Sequence, residues 1–168
     1  GSFSKTFASN GGFVASNHSA LKLALRYNCG PHTFTNAISP VQIAVISTAL
    51  NIVRSDEGAA LRRKLMENIL HLRECMESAG FEVAGQPSAI VPIVLGNSAF
   101  SRLCTREVLA NGAVVNLIEY PAIPKNQFRW RLQMMAKHTF EQIDRFVYLA
   151  TRAREAALPS EIEKASVR

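Results

Sequence analysis

No apolar run in this 168-residue chain approaches the length of a membrane span, so no transmembrane segment is predicted, and no signal peptide opens it. Cysteine is scarce: Cys29, Cys75 and Cys104 are odd in number and show no C-x-x-C spacing. That argues against a disulfide frame or a zinc ribbon and predicts reduced thiols in a cytoplasmic protein. The histidines are His18, His32, His71 and His138, and neither His-x-x-x-His nor Glu-x-x-His occurs; on that ground no metal site is assigned. Repeats and low-complexity tracts are absent. Acids are outnumbered, 13 Asp and Glu against 19 Lys and Arg, for a formal charge of +6. The basic residues are scattered among acids, and no zinc-finger, basic-zipper or RNA-recognition signature is present, so nucleic acid is not expected as a partner. A modest positive balance suits an enzyme with anionic ligands.

What is present is an ordinary globular composition, 48% apolar and 19% charged, with enough chain for one domain or a piece of one. Residues 11–16 read as a short apolar strand after a turn, and 19–28 as an amphipathic helix ended by Gly30-Pro31. Residues 32–37 read as extended. Ser39-Pro40-Val41-Gln42 has the form of a capping box with proline at the first helical position. The helix it opens is apolar nearly all round, which predicts burial on several sides, part of it by another polypeptide. Residues 57–79 carry one apolar stripe, Leu61, Leu65, Ile69, Leu72, Met76 and Ala79, at spacings of four and three. Beyond it the pattern shortens. Strands are expected at 89–95, 114–117 and 128–134, with a helix capped by Ser98 and stopped at Asn111-Gly112. The segment 120–126 holds two prolines and must be a loop. Thr139-x-x-Gln142 opens the final helix, and residues 159–168 are expected to fray. Alternation of this kind predicts an α/β or α+β layered domain.

Three segments carry chemistry. The first is Gly1-Ser2-Phe3-Ser4-Lys5-Thr6-Phe7, followed by Gly11-Gly12-Phe13-Val14; a lysine amine suits imine chemistry because its pKa falls readily on desolvation. The second is Phe34-Thr35-Asn36-Ala37-Ile38-Ser39-Pro40. The third is Phe128-Arg129-Trp130-Arg131-Leu132-Gln133, whose period of two sends Trp130, Leu132 and Met134 one way and Arg129, Arg131 and Gln133 the other; Ala136-Lys137-His138-Thr139 follows it. In this order, over residues 1 to about 157, they resemble the α-oxoamine synthases, pyridoxal-phosphate (PLP) enzymes that join an amino acid to an acyl-CoA with loss of carbon dioxide. The nearest-looking branch is serine palmitoyltransferase. Glu119 departs from it, standing where a palmitoyltransferase usually has an arginine, and Ala37 and Ser39 replace a serine and a proline of the second segment.

The resemblance implies an α/β chain that forms the C-terminal portion of a fold-type I PLP-dependent transferase. Residues 1–55 would end the large cofactor domain, 56–158 would form an α+β small domain with a mainly antiparallel sheet, and 159–168 a frayed tail. It implies Lys5 as the catalytic, cofactor-bearing lysine, with Ser2 and Thr35 as further cofactor ligands on the phosphate, Thr35 reaching that of the partner subunit. It implies Arg131 as the residue that binds the substrate α-carboxylate, with a guanidinium fork matched to it; Arg129 is the alternative if the register is two residues off. His138 reads as structural. PLP is the cofactor, an amino acid and an acyl-CoA the substrates, and a homodimer the assembly. The family's glycine-rich cofactor entry, its ring-stacking histidine and its Asp-x-x-His motif all lie before the lysine, so the N-terminal portion of the same enzyme is an expected partner. Two rival readings are a non-catalytic dimerisation subunit or fragment, and an aminotransferase of the same fold.

Overall fold

The computed structural model describes the backbone of residues 1–165 and the side chains of 1–158. The chain separates into two compact units, residues 1–60 and 61–168.

The first unit opens on a pinched turn. Residues 1–3 run antiparallel to 11–13, joined by Phe3 N–H to the Gly11 carbonyl and Phe13 N–H to the Gly1 carbonyl, both 3.0 Å. A single bridge, Ser2 to Gly12, is all the sheet structure here. The strand expected at 11–16 therefore does not form: a strand exists through its neighbour, and past Gly12 there is none among the described residues. Helix α1 spans Ser19–Asn28. A short helix α2, Gly30–Phe34, replaces most of the extended stretch expected at 32–37. Pro31 is favourable at a helix start, and the Thr33 hydroxyl donates to the carbonyls of Arg26 and Cys29, stitching α2 to α1. Helix α3, Pro40–Arg54, starts with the expected box: Ser39 Oγ accepts from Gln42 N–H, and Gln42 Oε1 accepts from Ser39 N–H. Of this helix only Ile46 is buried. Val41, Ile43, Val45, Leu50 and Ile52 are all exposed.

Helix α4, Asp56–Ser78, begins in the first unit and runs into the second. There a four-stranded sheet, β1 (Glu82–Val83), β2 (Ile90–Gly96), β3 (Leu117–Ile118) and β4 (Phe128–Gln133), has the order β1-β2-β4-β3, every pairing antiparallel. Val91 faces Leu132, and Ile93 faces Trp130. The strand expected at 114–117 is thus confined to Leu117–Ile118, and β1 was too short to show a pattern. Helix α5, Ser98–Ala110, is capped by Asn97, whose side chain accepts from Phe100 N–H, and not by Ser98 as expected. Asparagine and serine are both strong caps, and one residue of offset decides which side chain reaches back. Helix α6, Phe140–Ala165, carries the second capping box, Thr139 with Gln142. Of the tail expected to fray, 159–165 continue this helix, and 166–168 lie outside the described residues.

The core of the second unit joins the α4 stripe (Ile69, Leu72, Met76) to Val91, Ile93, Trp130 and Leu132 from the sheet and to Ile143, Ala150 and Ala153 from α6. Trp130 is fully buried, and its Nε1–H donates to Thr105 Oγ1 at 2.9 Å. Asn68 is the polar exception on α4. Wholly buried, it donates to the carbonyls of Met135 (3.0 Å) and His138 (2.7 Å) and so fixes the turn between β4 and α6. No described helix is long and apolar enough to cross a membrane.

Candidate active site

Lys5 lies at the tip of the pinched turn, exposed, with no hydrogen bond or ion pair for its amine among the described residues. Its carbonyl accepts from Ala8 N–H at 3.0 Å, closing a tight reversal in which Ala8 has φ 48°. Beside it, Ser2 Oγ and Ser4 Oγ are 2.7 Å apart, and Ser4 N–H donates to Ser2 Oγ at 3.3 Å. The Ser2 and Ser4 hydroxyls are thus paired with each other in the same turn that carries Lys5. Phe3 packs on Phe7 and Phe13, ring centroids 5.5 and 5.4 Å away, which gives the turn an apolar floor.

The two glycines have a steric reason. A Cβ on Gly12 would sit 2.6 Å from the Gly1 carbonyl oxygen, against backbone that cannot yield. Gly11 has φ 93°, and a Cβ there would meet Ile38 Cδ1 at 2.8 Å. Gly11 thus lets the lysine turn lie against the segment that holds Thr35. Thr35 caps the C-terminal end of α2, and its hydroxyl donates back to the Pro31 carbonyl. It is exposed, but it must leave that carbonyl before it can donate to a ligand.

In the second unit Arg131 projects from the solvent face of β4, between buried Trp130 and Leu132. Its backbone N–H donates to the Asn116 carbonyl at 2.8 Å. The guanidinium has no partner among the described residues. Arg129 is different: half-buried, it is already engaged with the Gln127 carbonyl (3.1 Å) and Gln127 Oε1 (3.2 Å). A free fork is the one able to take a carboxylate. Arg131 lines a groove of about 660 Å³ with Asn116, Gln133, His138, Gln142 and Arg145. His138 Nδ1 accepts from Met135 N–H at 3.3 Å, which orients the ring. Asn116 and Arg145 were not singled out as site residues from sequence. The signal for Arg145 is helical spacing from Gln142, since the two lie three apart on α6 and share a face.

Glu119, the departure in the loop after β3, forms a forked ion pair with Arg102 of α5: Arg102 Nε to Glu119 Oε1 at 2.7 Å and Nη2 to Oε2 at 3.4 Å. Hydrogen bonding and the Glu119 charge hold the Arg102 guanidinium above its ordinary pKa.

The aminotransferase class I and II family matches residues 1–148, spanning both the lysine turn and the arginine strand. The chain belongs to that family. Among curated relatives, a 2-amino-3-ketobutyrate coenzyme A ligase from Salmonella typhimurium is 38% identical over 143 residues, 85% of this chain and 35% of the relative. The erythroid-specific mitochondrial 5-aminolevulinate synthase of Rattus norvegicus is 30% identical over 148 residues, 88% of this chain and 25% of its own. Both are α-oxoamine synthases, the group that the sequence resembles. Among solved structures, SPT with a PLP internal aldimine superposes with TM-score 0.84 at 29% identity, covering 93% of this chain and 39% of that one. A Sphingomonas wittichii serine palmitoyltransferase gives TM-score 0.82 at 28% identity, with the same coverage. The family member described here therefore spans about a third of the length of the curated relatives it matches.

Proposed function

We propose that this chain supplies the cofactor lysine and the carboxylate-binding arginine of a PLP-dependent α-oxoamine synthase, which condenses an amino acid with an acyl-CoA, releases carbon dioxide and yields a 2-amino ketone. The observation that carries the reading is the Lys5 turn: an amine without a partner among the described residues, the Ser2 and Ser4 hydroxyls in the same turn, Gly11 at φ 93°, and Gly12 with its Cβ position closed by backbone. The donor set fits PLP, with an amine for its aldehyde and hydroxyl and amide donors for its phosphate. PLP bound there supplies the electron sink that stabilises charge at the amino acid's α-carbon.

Each residue then has a task. Ser2 and, after rotation from Pro31, Thr35 donate to the phosphate. Lys5 Nζ anchors the cofactor and, once released by the incoming amino acid, takes the α-proton. Arg131 holds the α-carboxylate in a bidentate grip that fixes which bond to the α-carbon is aligned for cleavage. The N-terminal portion of the same enzyme and a second copy complete the site, with Thr35 acting on the phosphate of the partner subunit. The exposed apolar side chains of α3 favour such assembly, since a face of this kind is ordinarily covered. Three cysteines without C-x-x-C spacing accord with a cytoplasmic protein.

Borohydride reduction of the full-length protein with PLP, followed by peptide mapping, tests the reading. The label falls on Lys5; a label on any other lysine overturns it. Release of coenzyme A on mixing with amino acid and acyl-CoA separates the synthase from an aminotransferase, which would instead pass the amino group to a keto acid without freeing thiol. A non-catalytic dimerisation role, which the α3 face alone would also satisfy, predicts no label at all.

A further inference from the structure

Outside the groove, α4 and α6 bring together three side chains of different chemistry. His71 and Cys75 lie four residues apart on α4 and share a face. Asp144 comes from the second turn of α6. His71 Nε2 is 2.6 Å from Asp144 Oδ1, Cys75 Sγ is 3.7 Å from His71 Nε2, and Cys75 Sγ is 3.9 Å from Asp144 Oδ1. One donor atom from each thus lies within 4.8 Å of the others.

We infer that His71, Cys75 and Asp144 form a binding site for a divalent transition-metal ion of borderline softness, zinc being the best match. With bonds of about 2.0–2.3 Å, a tetrahedral ion needs sulfur–nitrogen and sulfur–oxygen edges of about 3.6 Å and a nitrogen–oxygen edge of about 3.4 Å. Both sulfur edges are already close to that. Only the His71–Asp144 edge must open, by less than 1 Å, and that is the hydrogen bond a metal would replace. A thiolate, an imidazole and a carboxylate are all zinc donors, and three protein ligands leave a fourth position for water.

The surroundings support the site. Phe140 stacks on the His71 ring, centroids 4.2 Å apart and planes at 29°, which limits the imidazole's rotation. The Asp144 side chain is 58% exposed and that of His71 25%, so the open position has a path from solvent. Asp144 and Glu74 place negative charge beside Cys75, which favours a cation there. The search for His-x-x-x-His and Glu-x-x-His spacings misses this trio because the α4 pair is His-x-x-x-Cys and the third ligand lies 69 residues beyond Cys75. A bound ion would clamp α4 to α6, on which the groove-lining residues Gln142 and Arg145 are carried.

The test is zinc binding to the full-length protein, and it does not depend on turnover. Equilibrium dialysis with Zn²⁺ alone should give one ion per chain at His71, Cys75 and Asp144, and zinc-edge X-ray absorption should show one sulfur at about 2.3 Å with nitrogen and oxygen completing the shell. Cys75→Ser should remove the sulfur and weaken binding by more than about a hundredfold, since loss of an outer-shell partner alone costs about ten- to a hundredfold. Asp144→Asn, at an exposed position that does not threaten folding, should weaken binding while keeping the sulfur. Cys29→Ser should change neither. No zinc uptake, zinc bound without sulfur, or a sulfur signal that survives Cys75→Ser would each overturn the assignment.

Discussion

The two units of this chain solve the burial problem in opposite ways. The described residues of 61–168 build a core within the unit: Trp130, Val91, Ile93, Ile69, Leu72 and Met76 are at most 2% exposed, although Val114 and Met135 remain outside it. In residues 1–60 the one buried apolar side chain described is Ile46. Helix α3 is the most apolar of the long helices, yet Val41 is 75% and Ile43 47% exposed, and Val14, after the lysine turn, is 70% exposed. The second unit is organised by its own core, whereas the first presents the apolar surface of α3 with one buried anchor, Ile46. The candidate chemistry is split the same way. Lys5 sits on a turn fixed by local backbone bonds and closed glycine contacts, and Arg131 on a strand fixed by a packed core.

The comparison breaks most severely at Lys5. Lys5→Ala should abolish both PLP attachment and condensation in the full-length protein, because the amine is the one reacting group in the turn, while leaving the circular dichroism of the protein unchanged. Absorbance of the bound cofactor and a coenzyme A release assay measure the two effects. Substantial activity in this variant would show that the turn is scaffold only.

The next largest effects separate the two modes of burial. Trp130→Ala should destabilise the second unit by about 3–5 kcal/mol, as expected for emptying a large buried aromatic site, read as a lowered denaturation midpoint. Its packing against Phe81 and Phe146 and its bond to Thr105 are all lost at once. Ile43→Asn in α3 should instead leave chain folding nearly intact and raise the subunit dissociation constant, measured by sedimentation. If Ile43→Asn lowered the denaturation midpoint of dissociated chains as much as Trp130→Ala does, the contrast between the units would be false.

What could be read from the sequence follows the same division. The stripe from Leu65 to Met76, the alternation of β4 and both capping boxes were legible because each signal is local and its partner lies in the second unit or within four residues. The antiparallel pairing agrees with the fold implied by the resemblance. Residues 11–16 misled because the short apolar run Phe13-Val14-Ala15 after a glycine turn reads as a strand whether or not a neighbouring strand is there to pair with it. Helix α2 escaped notice because five residues are too few to show a period. Asn68 gave no signal: a polar residue beside Ile69 reads as the solvent side of a helix, and only the returning β4–α6 turn makes it a buried anchor. At the candidate site, the residue types at Lys5, Thr35 and Arg131 were visible through motif order. The engagement of Thr35 with Pro31, and of Arg129 with Gln127, belongs to side-chain geometry that no spacing encodes.

Arg131 and Arg129 share a strand face and allow a sharper cut. Arg131→Lys keeps the charge but loses the planar fork, so one charge-assisted bond to the carboxylate is lost, about 1.5–3 kcal/mol, or roughly a ten- to a hundredfold rise in the amino-acid KM, with PLP binding unaffected. Arg129→Lys should leave KM unchanged, because its guanidinium is already spent on Gln127. A raised KM in Arg129→Lys with none in Arg131→Lys would place the substrate-binding position two residues away.

The smallest effect probes how α3 is held before anything covers it. Ser39 Oγ and Gln42 Oε1 each satisfy a backbone N–H at the start of the helix, and Pro40 occupies the position where no N–H is needed. Ser39→Ala removes one half of that box and should cost about 1 kcal/mol. In the second unit the equivalent change, Thr139→Ala, should cost about the same by the same principle, but there the core holds α6 in place. In the first unit a single buried side chain, Ile46, anchors α3, so the same loss should appear as faster amide exchange across its first turn. Hydrogen exchange on the dissociated chain reads both sites at once. Equal protection at 40–43 and 140–143 after the two substitutions would mean that α3 is held as firmly as α6, and that its exposed apolar face does not mark an element completed by a partner.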